Sequence, residues 1–243
     1  MNTQIQLLGH ATLKITTPEN RILLVDPWLN GNDFIPKPFR NQDVIDLIVI
    51  THGHEDHFDK FMPDLIDKTK ATVIANSIVR FYLYEHFVDK ELIEPMNLGG
   101  TIFVKDVTIT MVHAQHLGHI MIERDSIGYT HPSVGFVLQF SDGVRLYIAG
   151  DTGIFSDMAL IGELYHPQIA VLPIGGRYTM GSMEAAHAIR LLKVSHVIPY
   201  HYGTFESLTG TPEELKNHTA DIHPFTIHAL KAGEVLDCGM VLE

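Results

Sequence analysis

Short apolar runs alternate with amphipathic segments through the first half of the chain. Residues 46–52 (DLIVITH) form a continuous apolar run, which predicts a strand covered on both faces. The segment 21–29 (RILLVDPWL) also predicts a strand, ending at Asp26 because the proline that follows cannot donate to a sheet ladder. The predicted elements of this half are strands at 5–15, 21–29, 46–52 and 71–75 and helices at 58–69 and 77–87.

The same alternation begins again after Pro132. Segments 133–140 and 145–152 predict two strands joined by Ser-Asp-Gly, a hairpin turn with Gly143 where a positive φ is needed. The other predictions are two antiparallel strands within 101–116, helices at 155–165, 182–193 (capped at Ser182, with Glu184 in its first turn) and 211–220, and strands at 169–175, 196–203 and 234–238. No linker or low-complexity segment interrupts this order, so we predict one mixed α/β domain over residues 1–243.

Composition indicates a globular protein and narrows its partners. The 243 residues are 45% hydrophobic and 19% charged, which suits a sizeable core. With 29 acidic and 17 basic residues the formal net charge is −12, so an extended nucleic acid finds no basic surface. The start of the chain lacks the features of a signal peptide, and no apolar run approaches the roughly 20 residues of a membrane span. We therefore expect a cytoplasmic protein that binds no membrane, and a homo-oligomer is left open.

Cysteine and histidine usage restricts the chemistry of any metal site. Cys238 is the only cysteine, which excludes an intrachain disulfide and a thiolate cluster. Histidine is frequent, with 16 residues, and three of them lie within residues 51–59 (THGHEDHFD). A metal site in this chain must therefore be built from His, Asp and Glu.

The segment THGHEDH follows a predicted buried strand, where α/β sheets usually carry their sites. His52, His54 and Asp56 share a period of two and His57 breaks it, so one ion cannot easily bind all four side chains. Two divalent ions about 3.5–4 Å apart would divide them. The alternative is a polar loop with chance histidines, which the density of potential ligands disfavours.

This segment resembles the His-x-His-x-Asp-His signature of the metallo-β-lactamase superfamily. Further segments follow in order: GHAT, LLVDPWLNGN, MNLGGT, AGDTGIFSDMALIGELY, LPIGGRYTMG and IPYHYGTF. Together they are similar to a bacterial group of metal-dependent hydrolases, the UPF0173-like proteins, which resemble ascorbate-6-phosphate lactonase. The resemblance implies an α/β fold of four layers, an αββα sandwich with two sheets packed face to face and helices outside.

The resemblance also implies a set of metal ligands. In that set one ion is held by His52, His54 and His116, the other by Asp56, His57 and His201, and Asp151 bridges both. Imidazole and carboxylate ligands suit several metals, so we expect Zn or Mn and leave Ni, Fe and Co open.

Three of these assignments have alternatives in the sequence. His113 and His119 compete with His116, because the family continues His-Ser-Ser where this chain has His-Leu-Gly. Asp151 also suits a turn former before Thr-Gly. His201, between two tyrosines, also suits a core histidine.

Two further residues are candidates for supporting the ligands. A ligating imidazole usually donates its other N–H to a carboxylate or carbonyl, and Asp26 is the best such carboxylate. Its alternative role is to end a strand before Pro27. His10, in GHAT, would contact substrate or support the site, or else is a buried strand histidine.

The residues that contact substrate are less clear. Residues 117–133 predict a polar loop over the cleft, from which Tyr129, His119 and His131 would donate hydrogen bonds. Arg177, next to Tyr178 after another strand end, would suit a phosphate or carboxylate by bidentate hydrogen bonding, and otherwise is a surface arginine.

The charge of the proposed site indicates the reaction. Two divalent ions, less two carboxylates and one hydroxide, leave about +1, which favours a small anionic substrate. A hydroxide shared by two ions is a nucleophile at neutral pH. We therefore predict a hydrolase of a phosphodiester or phosphorylated lactone, with Asp56, Asp151 and His201 as its catalytic residues. A di-iron oxidoreductase is weaker because the sequence shows no flavin-binding or second metal module, and a metal-binding protein without catalysis is the third alternative.

Overall fold

The computed structural model describes residues 1–86, 88–123 and 126–242, without the side chains of residues 122, 123, 126 and 127. In chain order the strands of this described part are β1 (Gln4–Gly9), β2 (Thr12–Thr16), β3 (Ile22–Val25), β4 (Leu47–Val49), β5 (Thr72–Asn76), β6 (Ile93–Met96), β7 (Thr101–Val104), β8 (Val107–Glu123), β9 (Ser126–Gln139), β10 (Arg145–Ile148), β11 (Ile169–Pro173), β12 (His196–Tyr200), β13 (Thr226–Ile227) and β14 (Val235–Asp237). The helices are α1 (Lys37–Arg40), α2 (Met62–Thr69), α3 (Ser77–Glu85), α4 (Met158–Tyr165), α5 (Ser182–Leu192) and α6 (Pro212–His218).

These strands form two sheets that pack face to face. The first sheet has the order β14-β1-β2-β3-β4-β5-β6 and the second the order β13-β12-β11-β10-β9-β8-β7. Strands β3 to β6 are parallel to one another, as are β10 to β13. Their carboxyl ends therefore meet at one edge of each sheet, which is where α/β folds place their sites.

Three apolar layers hold the sheets and helices together. Leu47 and Val49 of β4 point between the sheets and share a buried cluster with Phe136 of β9. Ile48, between them in β4, points to the opposite face and packs with Val79 of α3. The run DLIVI lacks alternation because both faces of this strand are covered. Helices α4, α5 and α6 cover the outer face of the second sheet in the same way, so the αββα sandwich is confirmed.

The first predicted strand, residues 5–15, is wrong in one respect: it is a hairpin of two strands. β1 and β2 are antiparallel, with Ile5 opposite Ile15. The chain turns at His10, whose φ of 55° lies in the left-handed region. The apolar pattern did not indicate the turn, because Leu8 and Ala11 on either side of it are also buried.

The segment 117–133 is not a loop. Its described residues continue β8 and β9 as a long antiparallel ribbon, in which Leu117 pairs with Pro132 and His119 with Thr130. The polar and Gly-containing sequence reflects a two-stranded ribbon extending beyond the sheet, while residues 124 and 125 lie outside the described residues. The prediction of a loop is therefore wrong for the part that the structure describes, although His119 and Met121 of the ribbon do line the cleft.

Element boundaries show smaller differences. Helix α5 is capped by Gly181 rather than Ser182, and the Gly181 N–H donates to the carboxylate of Glu184 at 3.1 Å. The helix predicted to residue 87 ends at Glu85, and residue 87 lies outside the described residues. Gly143 has the predicted positive φ, 87°. None of the helices in the described residues has both the length and the apolar composition needed to span a membrane.

We expect Phe136→Ala to lower the free energy of unfolding by about 3–5 kcal/mol, because it opens a cavity between the two sheets. Phe136 is fully buried in that layer. Phe103→Ala is the matched control, since Phe103 is 71% exposed, and it should change stability by less than about 0.5 kcal/mol. Urea unfolding followed by circular dichroism measures both values, and equal losses would contradict this packing.

Candidate metal centre

The candidate ligands meet where strands of both sheets end. Asp26 follows β3, His52 follows the parallel strand β4, Asp151 follows β10 and His201 follows β12. Parallel strands bring these ends to one edge, and the packing of the two sheets brings the two edges together. His116 comes from β8, which passes over the same edge.

Four side chains form a first group, which we name cluster 1: His52, His54, His116 and Asp151. Each offers a ligand atom, and the four atoms lie within 4.8 Å of one another. His54 Nδ1 lies 3.0 Å from His52 Nε2 and 3.3 Å from His116 Nε2. Asp151 Oδ2 is 3.8 Å from His52 Nε2 and 3.9 Å from His116 Nε2.

A second group, cluster 2, consists of His10, Asp56, His57 and His201, again within 4.8 Å. Asp56 Oδ2 lies 3.1 Å from His10 Nε2 and 3.7 Å from His201 Nε2. Asp151 borders this cluster as well, with Oδ1 3.3 Å from His57 Nε2 and Oδ2 3.2 Å from His201 Nε2. Asp151 therefore stands between the two clusters.

Burial and neighbouring charges lower the pKa of some histidines in the centre and raise that of others. Burial and the neighbouring imidazoles lower the pKa of His54 to about 4 and that of His52 well below its ordinary value. Burial also opposes protonation of His201, but Asp151 and Asp56 outweigh it and raise its pKa to about 9. The same carboxylates raise the pKa of His57. Metal ligation needs neutral imidazoles. His52 and His54 of cluster 1 are already neutral at pH 7, whereas His57 and His201 of cluster 2 would release protons when a cation binds.

Carboxylates in the centre stay ionised. Burial alone would raise the pKa of Asp151, but His201 and His57 hold it well below its usual range. The pKa of Asp56 is lowered in the same way, against the effect of burial, by His57 and His10. Ionised carboxylates are the form that binds cations.

Several buried atoms of the centre lack a partner with hydrogen-bond geometry among the described residues, although His57 Nε2 and His201 Nε2 lie 3.3 and 3.2 Å from oxygens of Asp151. These buried atoms are His57 Nε2, both ring nitrogens of His201, and Asp151 Oδ1. A buried polar atom without a partner costs free energy, so such a group needs an explanation. His57 Nε2, His201 Nε2 and Asp151 Oδ1 border the space between the clusters, and a cation bound there would satisfy them. The donor set, imidazole with carboxylate, fits a divalent transition metal.

Asp26 fixes the orientation of His57. Its buried carboxylate accepts hydrogen bonds from the Thr51 N–H at 2.8 Å and the Thr51 hydroxyl at 2.6 Å. Its Oδ2 also lies 2.9 Å from His57 Nδ1. Because a carboxylate only accepts, His57 Nδ1 donates to Asp26, so the proton that metal binding removes is the one on Nε2, which faces Asp151. The Nδ1 contact is the one that support of His57 by Asp26 requires, and the ligand role of His57 stays a prediction.

His10 and His119 make comparable contacts on the outer side of the clusters. His10 Nε2 contacts Asp56, and its Nδ1 lies 2.8 Å from the Thr204 hydroxyl. Burial lowers the pKa of His10 to about 4, so the neutral ring donates to Asp56 and accepts from Thr204. His119 Nδ1 lies 3.0 Å from His54 Nε2, the ring nitrogen that faces away from cluster 1.

Three residues of the centre have a strained backbone. His10, Asp26 and His201 have φ values of 55°, 47° and 54°, in the left-handed region that non-glycine residues rarely adopt. Such conformations persist where the surrounding structure imposes them and are typical of functional sites. The β8–β9 ribbon also packs directly on the centre, since a Cβ at Gly118 would lie 2.9 Å from the His52 Cβ.

The alternatives to His116 as a ligand, and the residues predicted to contact substrate, lie at different distances from the clusters. His113 points away from the clusters and packs edge-on against Phe155, and His119 contacts the outer side of His54. Tyr129 is directed to helix α3, where its hydroxyl donates to Glu85. The predicted role of Tyr129 as a hydrogen-bond donor at the site therefore finds no support in the geometry.

Arg177 and Tyr178 are exposed, and the guanidinium lies over the Tyr178 ring with 5.5 Å to the centroid. Neither is among the described residues that line the cleft ending at His54 and Asp56. Their loop turns outward after β11, so the surface alternative named for Arg177 fits the structure better.

The sequence pattern did not single out Thr51, Thr204 or the aromatic residues near the cleft. Thr51 and Thr204 act through hydrogen bonds to Asp26 and His10. Trp28 and Phe205 pack against His10, with ring centroids 5.7 and 5.5 Å away. The only signal for these four residues was their place inside the motifs DPWLNGN, THGHEDH and HYGTF.

Known proteins share this architecture. Residues 21–202 match the model of the beta-lactamase superfamily domain. A UPF0173 metal-dependent hydrolase from Rubrobacter xylanophilus is 44% identical over 235 residues, which cover 96% of each chain, and one from Chloroflexus aurantiacus is 41% identical over 236 residues, with the same coverage. The structure of Igni18, a metallo hydrolase from Ignicoccus hospitalis, is similar with a TM-score of 0.82 and 28% identity, covering 97% of this chain and 98% of the other.

The chain is thus a member of the beta-lactamase superfamily, and its fold is shared with a solved metallo hydrolase. More narrowly, the chain belongs to the UPF0173 metal-dependent hydrolases.

We expect Asp26→Asn to weaken metal binding by about 10- to 100-fold, the usual effect of removing a partner behind a ligating histidine. The amide keeps the shape of the carboxylate but lacks its charge, and its NH₂ cannot accept from Thr51 or His57. Competition with a chromophoric chelator measures the affinity. Asp33→Asn is the matched control, because the Asp33 side chain is 91% exposed. Unchanged affinity in Asp26→Asn would contradict the role of this carboxylate.

Proposed function

We propose that this chain is a binuclear metal-dependent hydrolase that cleaves a small anionic ester, a phosphodiester or a phosphorylated lactone. The observation that carries the proposal is the position of Asp151, whose Oδ2 lies 3.2 Å from His201 Nε2 and 3.8 Å from His52 Nε2. One carboxylate thus borders both clusters. The relatives named metal-dependent hydrolases support the reaction class.

In this proposal each cluster holds one ion. His52, His54 and His116 would bind the first, Asp56, His57 and His201 the second, and Asp151 both. When bound, two divalent ions of the Zn or Mn type would supply a Lewis acid and make water a nucleophile at neutral pH.

We assign proton transfer and the orientation of the ligands to side chains in and around the clusters. Asp56 is the carboxylate open to the cleft, since its side chain is 27% exposed against 3% for Asp151. Asp56 Oδ2 accepts from His10 at 3.1 Å and lies 3.7 Å from His201 Nε2, so it is the oxygen that would reach the ion. Oδ1 is then the atom to which we assign uptake of the proton from the attacking water. His119 holds His54 in one orientation from the cleft side.

The test is hydrolysis by protein reconstituted with Zn or Mn, using bis(p-nitrophenyl) phosphate beside a sugar lactone phosphate. We expect turnover of at least one substrate, its loss on chelation and its return with metal. His52→Ala should be inactive. His187→Ala is the matched control, because His187 is an exposed histidine on α5.

Each outcome has a defined meaning. Phosphodiester turnover that His52→Ala loses supports a phosphodiesterase, and lactone turnover alone supports an acyl mechanism. No turnover of either substrate by the two-metal protein, or equal activity of His52→Ala and His187→Ala, would contradict the proposed function.

A further inference from the structure

A cleft of about 640 Å³ leads from the surface to His54 and Asp56. One wall consists of three aromatic side chains, Trp28, Phe34 and Phe205, which come from two distant segments of the chain. We name these three residues the aromatic wall. It lies directly beside the candidate metal centre, because both Trp28 and Phe205 contact the ring of His10.

Two of the three side chains in the aromatic wall are exposed, Trp28 is half-buried, and the three contact one another through Phe205. Phe34 is 44% exposed and Phe205 is 42% exposed. The Trp28 and Phe205 rings are stacked, with centroids 6.4 Å apart, and the Phe34 ring meets Phe205 edge-on at 6.2 Å. Exposed apolar side chains that are grouped in a concave site are typical of ligand-binding surfaces. Neighbouring rings also offer both a face and an edge to an aromatic ligand.

Charge at the cleft restricts the ligand further. Asp33 and Glu55 line the outer part of the cleft and are exposed. Among the described residues that line it, none is a lysine or arginine. Arg40 lies beside the cleft, but its guanidinium is paired with Asp33 at 3.2 Å. A second phosphate or carboxylate, away from the clusters, would therefore meet Glu55 and an arginine that is already paired. An uncharged group suits this part of the cleft better.

We infer that the aromatic wall binds an uncharged aromatic group of the substrate, while the anionic end of the same molecule reaches the two clusters. The inference rests on the proposed function for the anionic end and adds the chemistry of the rest of the molecule. It favours an ester of an aromatic alcohol over a sugar lactone that carries a separate phosphate.

Binding without turnover tests this inference on the metal-loaded protein. The probes are phenyl phosphate and methyl phosphate, which present the same anion with and without a ring. Isothermal titration calorimetry gives both dissociation constants. Trp28 is the only tryptophan of the chain, so a change in its fluorescence reports binding at the wall itself. We expect phenyl phosphate to bind on the order of tenfold more tightly and to change this fluorescence.

Variants assign the preference to the wall. Phe205→Ala should reduce the preference for phenyl phosphate to about twofold or less. Phe103→Ala removes an aromatic ring that is 71% exposed on the edge strand β7, and it should keep the full preference. Equal affinities for the two phosphates in the unaltered protein, or an unchanged preference in Phe205→Ala, would overturn the inference. So would tighter binding of phosphocholine than of phenyl phosphate, since the site would then recognise an organic cation.

The metal content of the same samples separates this result from that of the proposed function. If the two-metal protein prefers phenyl phosphate but hydrolyses no ester, the inference about the aromatic wall stands and the proposed function is refuted. If the two-metal protein hydrolyses esters but binds both phosphates equally, the proposed function stands and the inference about the aromatic wall is refuted.

Discussion

Asp151→Asn is expected to lower kcat by at least about 100-fold and to reduce the bound metal from two ions to one or none. Asp151 is the carboxylate that borders both clusters, within 4 Å of ligand nitrogens on each side. An amide has nearly the same shape but carries no charge and has only one oxygen for two ions. Removing a group that only hydrogen-bonds to a metal ligand typically lowers metal affinity or activity about 10- to 100-fold. Asp151 is itself a candidate ligand, so we expect a loss at least as large.

Asp157→Asn is the matched control for this variant. Asp157 lies six positions further along the chain and is exposed, so the same substitution there should leave activity and metal content unchanged. Far-ultraviolet circular dichroism shows whether both variants keep the fold. A folded Asp151→Asn protein with two ions and full activity would refute the bridging role.

Removal of the metal is expected to destabilise the protein, and by more at pH 9 than at pH 6.5. When free metal exceeds the dissociation constant 100-fold, each site adds about 2.7 kcal/mol to the free energy of unfolding, so two sites add roughly 5 kcal/mol. Thermal unfolding with and without a chelator, at each pH, measures the difference.

The pH dependence follows from His57 and His201. In the metal-free protein burial opposes their protonation, but Asp151 and Asp56 raise the pKa of His57 well above its ordinary value and that of His201 to about 9. A raised histidine pKa stabilises the fold fully below about 6.5, and this contribution is lost as the pH rises toward 9. Metal binding changes in the opposite direction, because ligands must be deprotonated. The stability gap between loaded and metal-free protein should therefore widen, and a gap that narrows from pH 6.5 to 9 would contradict the assignment.

The position of the candidate site was predictable from sequence because its candidate ligands follow strand ends. The apolar run before His52 is buried on both faces, and Asp26, Asp151 and His201 each stand directly after a β-rich segment. The αββα arrangement, by contrast, came from the resemblance to a family. The periodicity of hydrophobic residues and the secondary-structure propensities indicate only that strands and helices alternate. They do not indicate which strands pair with one another.

Other features depend on contacts between distant residues and were not predictable. The turn at His10 has no glycine, and its left-handed backbone is held by contacts such as the hydrogen bond from the His201 N–H to the His10 carbonyl at 3.2 Å. The polar sequence of 117–133 suits a loop, but pairing between β8 and β9 makes it a ribbon. Tyr129 points to Glu85 for the same reason, because the ribbon presents it to helix α3.

The metal content of the purified, reconstituted protein tests the central claim most directly. Inductively coupled plasma mass spectrometry, combined with amino-acid analysis, gives the number of ions per chain. The two clusters and the shared Asp151 predict two divalent ions per chain, and His116→Ala and Asp56→Ala should each reduce that number. One ion per chain or none in the unaltered protein would contradict a binuclear centre.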